Sequence, residues 1–266
     1  MTESPVLVVT GASSGIGEAT ARYFAQRGYR VVAAARRLDR LETLSGELIS
    51  QGAEVLPVET DVSKIESVEM LIELVNKRWG RIDILFNNAG FGKIGWLENL
   101  DPIEDIQSQV AVNLVGLIQV TRAVLPYMIA RRSGHIINMS SIAGLIASPT
   151  YSIYAATKFG VSGFSQALRR EVGIYGIKVS VIYPGGVRSE FTTHAGIKRK
   201  TGITTPARLK LTSEDVAKAV MQLVKKPRRE MIIPRVMILT VWFSRIFPGL
   251  TDRLIEKKFT IPERLD

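Results

Sequence analysis

The 266-residue chain has no cysteine. Disulfides, thiolate metal sites and a cysteine nucleophile are thereby excluded, and the cytoplasm is the expected compartment. Histidine occurs only at His135 and His194. Neither has a carboxylate or a second histidine at ligand spacing, so no metal is expected. Long apolar runs are missing too: Val6 to Val9 is typical, and none reaches the roughly 20 residues that a spanning helix needs. The opening Met1-Thr-Glu-Ser-Pro5 lacks the basic start and apolar run of a secretory signal. Acid is scarce in the last third. Residues 1–185 hold 18 Lys and Arg against 17 Asp and Glu, whereas residues 186–266 hold 17 against 8, a net of +9. A nucleic-acid ligand would call for basic character throughout, so none is expected. An excess confined to one end suits an anionic substrate tail, an acidic partner or an anionic membrane surface, or simply a solvated face.

What the chain does have is a rhythm. Short apolar runs at Val6–Val9, Tyr29–Ala35, Val55–Val58, Ile82–Phe86, His135–Met139 and Val179–Tyr183 alternate with stretches of helical length such as Ser63–Trp79 and Asp105–Arg131. Continuous apolar strands separated by helices predict a parallel sheet covered on both faces. That is an α/β fold with a doubly wound, Rossmann-like sheet. No repeat or long linker interrupts it, so residues 1–266 read as a single domain. Residues 187–212, polar and rich in Thr, Gly and Pro, read as a substrate lid. Residues 235–258 read as an apolar and basic C-terminal extension.

The first strand runs into Thr10-Gly-Ala-Ser-Ser-Gly-Ile-Gly17. Gly11 allows a sharp strand-to-helix turn, and Gly15 and Gly17 allow close approach of backbone and ligand, or of helix and sheet. With Ser13, Ser14 and Ile16 they form a loop from which a helix N-terminus points free N–H groups at a pyrophosphate. A tight turn without a ligand would use the same residues. After the second strand the chain reads Ala33-Ala-Ala-Arg-Arg37, with no acid before Asp39. An acid there would bind the ribose of NAD, whereas arginine accommodates a 2′-phosphate. Arg36 and Arg37 can do so through charge-assisted contacts, and the cofactor is read as NADP(H).

Tyr154-Ala-Ala-Thr-Lys158 puts a phenol and an ammonium on one face of a helix. A free tyrosine, with a pKa near 10, is a poor base at neutrality. A nearby cation lowers that value and equips the pair to exchange a proton with an alcohol or carbonyl.

In this order the motifs resemble the short-chain dehydrogenase/reductase family over roughly residues 5–235. The glycine loop is similar to the family's Thr-Gly-x₃-Gly-x-Gly, Asp61-Val62 to its adenine-contacting pair, and Asn87-Asn88-Ala89-Gly90 to the motif that ends its fourth strand. Ser141 lies 13 residues before Tyr154, the family's usual interval. Pro184-Gly185-Gly-Val187-Arg-Ser189 resembles its Pro-Gly-x-Val-x-Thr turn beside the nicotinamide, with Ser189 keeping the hydroxyl. The resemblance implies a division of labour. Tyr154 exchanges the proton, Lys158 lowers the tyrosine pKa and binds the nicotinamide ribose, Ser141 hydrogen-bonds the substrate oxygen, and Asn113 holds a relay water. Tyr151 is expected to line the pocket. The resemblance also implies a homodimer or homotetramer.

The expected function is hydride transfer between NADP(H) and a small-molecule carbonyl or secondary alcohol, hydrophobic or acyl-bearing. The alternatives are a non-catalytic NADP(H)-binding regulator and a membrane-peripheral interaction protein. Val236–Phe243 is apolar on every side of a predicted helix. It reads either as a core helix or subunit interface, or as a peripheral anchor in which Trp242, Phe243, Ile246 and Phe247 meet lipid while Arg235, Arg245, Arg253, Lys257 and Lys258 meet head groups. The basic surface would equally suit an acidic acyl carrier.

Overall fold

The structure is a computed structural model that describes residues 4–188, 200–203 and 205–265. Among the described residues the main sheet has seven strands, in chain order β1 (Val6–Thr10), β2 (Arg30–Ala35), β3 (Val55–Glu59), β4 (Ile84–Asn87), β5 (Gly134–Met139), β6 (Ile177–Pro184) and β7 (Glu230–Ile233). All pair in parallel, in the spatial order β3-β2-β1-β4-β5-β6-β7.

Side-chain alternation along β1 shows why these runs form the middle of a sandwich. Leu7 and Val9 enter one apolar cluster with Phe24, Leu41, Val216 and Val220. Val6 and Val8 enter the opposite cluster with Leu71, Val75, Val120 and Val124. The first cluster is roofed by α1 (Gly15–Ala25), α2 (Leu38–Ser50) and α6 (Ser213–Lys225); the second by α3 (Ile65–Trp79), α4 (Pro102–Arg131) and α5 (Ser152–Val172). Each large side chain fully buried this way contributes about 1.5–3 kcal/mol.

The seventh strand was not expected. Glu230-Met-Ile-Ile233 is too short to stand out between Arg229 and Pro234, and its pairing with β6 creates it. The 30-residue helix α4 is long and apolar enough to cross a membrane by length and composition, a property that counting apolar runs did not reveal. In the fold its Leu117, Val120, Val124 and Met128 are buried against the sheet. The core-helix reading of Val236–Phe243 is corrected. The segment forms α7 (Met237–Ile246), followed after Phe247 by α8 (Pro248–Ile255), and only Val241 of α7 is buried.

The chain leaves β1 for β2 on one side and later returns to β4 on the other. Connections therefore diverge beyond the C-terminal ends of β1 and β4, which opens the crevice where such sheets bind ligands.

Candidate active site

The glycine loop lies in that crevice. Gly11 (φ 68°) and Gly15 (φ 57°) adopt left-handed conformations that favour glycine. A Cβ on Gly11 would lie 2.9 Å from the Ala89 Cα. One hydroxyl locks the loop to β4: Thr10 Oγ1 accepts hydrogen bonds from Asn88 N and Ala89 N, both at 3.0 Å. Asn88 Nδ2 donates back to Thr10 O at 2.9 Å. The Ser14 side chain does not cap α1, so the first N–H groups of this helix stay available to an anion.

The two arginines after β2 differ. Arg37 reaches across to the loop, donating from Nε to Ser13 Oγ (3.2 Å) and from Nη2 to Ser14 Oγ (2.7 Å). Arg36 is exposed beside Asp61. Burial would raise the Asp61 carboxyl, but hydrogen bonds from Ser63 and the charges of Arg36 and Lys64 hold it below the usual range. Asp61 Oδ1 accepts from Ser63 N at 3.0 Å and Ser63 Oγ at 2.6 Å, which fixes the turn ahead of α3. Val62 packs against Gly116 of α4, where a Cβ would come within 2.7 Å of Val62 Cγ2.

Tyr154, Lys158, Ser141 and Asn113 converge beyond β4 and β5. Residues 111–116 of α4 form a π-helical stretch, a distortion frequent at functional sites. It sets Asn113, fully buried, against the loop after β4. Asn113 Oδ1 accepts from Phe91 N (2.9 Å) and its Nδ2 donates to Phe91 O (2.7 Å) and Thr157 Oγ1 (3.4 Å). Lys158 is buried, with Nζ donating to Met139 O at 3.0 Å and lying 5.6 Å from the Tyr154 ring centre. Burial pulls its ammonium down to about 8. The expected lowering of the Tyr154 pKa by Lys158 is corrected: burial pushes the phenol up to about 12, with a hydrogen bond to Ser141 opposing and the Tyr151 phenol adding to the rise. Ser141 Oγ also accepts from Ala143 N at 3.1 Å. The Tyr151 ring meets Tyr154 edge-on, 6.2 Å between centres.

A nicotinamide dinucleotide fits this site by one structural test. Gly90 faces Asn113 and Lys158, and a Cβ there would lie 3.0 Å from Asn113 Oδ1 and 3.6 Å from Lys158 Nζ. Its absence keeps open the space between loop and ammonium. Pro184 ends β6, and Gly185 and Val187 follow it; Gly185 N donates to Ile233 O at 2.7 Å, and Val187 pairs with Leu211. Ser189 and His194, with residues 189–199 and 204 of the expected lid, lie outside the described residues. His135 is buried on β5 and bonded to Ser180 Oγ at 2.8 Å, away from the site. Sequence reasoning passed over Thr157, which braces Asn113, and Ser140, whose hydroxyl donates to Lys158 O at 3.0 Å. Both adjoin motif residues, and only the helix contact gives them a purpose.

A sheet that opens its crevice over a glycine loop, with a phenol and an ammonium buried at its rim, defines a nucleotide-binding oxidoreductase. Known proteins agree. The sequence model of the short chain dehydrogenase family matches residues 5–200. An oxidoreductase of Staphylococcus saprophyticus is 36% identical over 230 residues, 85% of this chain and 92% of that protein. An alcohol dehydrogenase of Thermococcus sibiricus, solved with 5-hydroxy-NADP, superposes with a TM-score of 0.77 at 32% identity, covering 87% of this chain and 96% of the other. A short-chain dehydrogenase of Sphingobium yanoikuyae, solved with NADPH, gives 0.79 at 29% identity over 93% and 96%. A short-chain dehydrogenase/reductase of Burkholderia phymatum, solved with NAD, gives 0.84 at 27% over 94% and 97%. The chain belongs to the short-chain dehydrogenase/reductase family.

Proposed function

We propose that this chain is an NADP(H)-dependent carbonyl reductase acting on a hydrophobic or acyl-bearing carbonyl, with the secondary alcohol as product. The observation that carries the reading is the burial of Tyr154 against Ser141 with Lys158 beside it. With its phenol pushed up to about 12, Tyr154 keeps its proton at neutral pH. The same burial makes it a weaker acid, so Lys158 beside it and Ser141 against it must ease the transfer of that proton to a carbonyl oxygen. Ser141 orients the substrate oxygen and stabilises charge as it develops. Lys158, about half charged near pH 8, holds the nicotinamide ribose and eases the loss of the tyrosine proton. Asn113 anchors the relay through which that proton is replaced.

The cofactor, when bound, supplies the hydride. Gly11, Ser13, Ser14, Gly15, Ile16 and Gly17 hold its pyrophosphate, Asp61 and Val62 its adenine. Asn88, Ala89 and Gly90 line the ribose side, and Pro184, Gly185, Val187 and Ser189 the nicotinamide. Arg36 and Arg37 bind the 2′-phosphate, consistent with the NADP-type ligands of the Thermococcus and Sphingobium proteins. The enzyme works in the cytoplasm as a homodimer or homotetramer through the outer faces of α4 and α5, where Val115 and Phe159 are exposed. The test is a screen of ketosteroids, acyl thioesters, quinones and simple aldehydes read by NADPH absorbance, repeated with NADH. Turnover of at least one carbonyl with NADPH preferred supports the reading. Preference for NADH removes the cofactor assignment, and no turnover with any class removes the reductase.

A further inference from the structure

The C-terminal helices leave a surface that the catalytic reading does not use. Leu239, Trp242, Phe243 and Ile246 of α7, Phe247 between the helices, and Leu250 and Leu254 of α8 are each 41–71% exposed. On helical spacing the four α7 residues share one face, Leu250 and Leu254 share a face of α8, and the Phe243 and Phe247 rings at the junction lie 5.5 Å apart between centres. An aromatic side chain carries about 150–250 Å², so the three exposed rings alone present on the order of 300 Å², the size at which a monomer's largest apolar patch is usually functional. Around it Arg235, Arg245, Arg253, Lys257 and Lys258 are exposed, and none is ion-paired to a carboxylate among the described residues. Only Asp252 and Glu256 oppose them within residues 235–258.

We infer that this face docks on the headgroup layer of an anionic lipid bilayer. The charge decides between a membrane and a second copy. A two-fold interface would set the patch against itself, bringing five cations onto five cations with two carboxylates on each side. An anionic surface complements the same set, while the rings and leucines enter the acyl boundary. At 10 residues α7 is about 15 Å long, half a hydrocarbon core, so it lies in the interface. Beyond α8 the chain returns to the crevice mouth. Glu263 accepts from Thr201 N (2.9 Å) and Lys200 N (3.2 Å), and Arg264 pairs with Glu98 (2.9 Å) and stacks over Trp96 (4.0 Å). Docking would thus hold the mouth of the crevice close to the lipid.

Flotation of the full chain with vesicles of phosphatidylglycerol in phosphatidylcholine, against phosphatidylcholine alone, tests this at low and high salt. The expected result is capture by the anionic vesicles at low salt, weakened by salt. Arg253→Gln with Lys257→Gln should lose about fivefold per charge. Trp242→Ser with Phe243→Ser should lose at least tenfold at any salt while still binding NADPH, which separates lost docking from misfolding. Brominated lipid should quench tryptophan emission in the wild type and much less in Trp242→Phe. Failure to float at low salt, or equal capture by both vesicle types, overturns the proposal. A concentration-dependent dimer that Trp242→Ser with Phe243→Ser dissociates overturns it in favour of a subunit interface. NADPH binding measured alongside keeps either failure distinct from a failure of the reductase reading.

Discussion

Adding one methyl group at Gly17 should cripple cofactor binding, whereas adding one at Gly46 should stabilise the protein. In Gly17→Ala the new Cβ would stand 2.2 Å from the Gly11 carbonyl oxygen and 2.7 Å from Asn88 Nδ2. Neither neighbour can retreat. Gly11 already packs on Ala89, and Asn88 Nδ2 is tied to Thr10 O at 2.9 Å. Forcing a methyl into such packing costs about 1–3 kcal/mol, and the loop must move to relieve it. A loop displaced from a phosphate forfeits at least one charge-assisted hydrogen bond, about 1.5–3 kcal/mol, or roughly tenfold to a hundredfold in affinity. Gly46 lies inside α2 with nothing within 4 Å of its Cβ position. There alanine removes the helix penalty of glycine, about 0.5–1 kcal/mol, which raises Tm by about 1–4 °C in a domain near this size. NADPH fluorescence titration and thermal melts on both variants check the pair. Wild-type NADPH affinity in Gly17→Ala would mean that the loop does not contact the cofactor, and the phosphate-binding argument fails with it.

Arg36→Ala should weaken NADPH by roughly tenfold to a hundredfold, the value of a lost charged contact, and leave NADH nearly unchanged. Equal weakening of both, in isothermal titration, would deny Arg36 the 2′-phosphate. His135 should make the fold acid-sensitive. Ser180 Oγ donates to Arg228 O at 2.6 Å, so His135 Nε2 must be the donor in its bond to that hydroxyl. Burial, helped by the Lys178 charge, pulls this imidazole from 6.5 down to about 4. The unfolded chain then binds a proton that the folded one refuses, so stability falls as pH drops from about 6.5 to 4, by about 3 kcal/mol in all. Urea melts across that range should show the loss in the wild type and a shallower one in His135→Gln, and identical slopes would refute the assignment.

Much of the site could be read in the sequence because its chemistry is local. The glycine loop, the Tyr154–Lys158 pair and the arginines after β2 are fixed by short spacings, and the structure brings them to one crevice. What was not legible depends on contacts between distant segments. Arg37 looks interchangeable with Arg36 in sequence, yet it bonds to Ser13 and Ser14 across the crevice while Arg36 stays exposed. Thr157 and Ser140 matter only because α5 crosses over the end of β5 and close to Asn113. The strand Glu230–Ile233 exists because β6 offers it an edge. The direction in which α7 turns its apolar side depends on how few of its residues the body covers, and no periodicity in an all-apolar run reveals that.

The central claim is that the Tyr154 hydroxyl moves the proton while other groups hold the cofactor. Tyr154→Phe removes that one oxygen from a buried ring and leaves the glycine loop, Arg36 and Lys158 untouched. The measurement is turnover on the best carbonyl substrate beside NADPH affinity, in wild type and variant. Positioned proton transfer contributes about a hundredfold or more, so kcat should fall by at least that factor while the NADPH Kd stays within about threefold. A variant that keeps more than a tenth of the wild-type kcat would contradict the account.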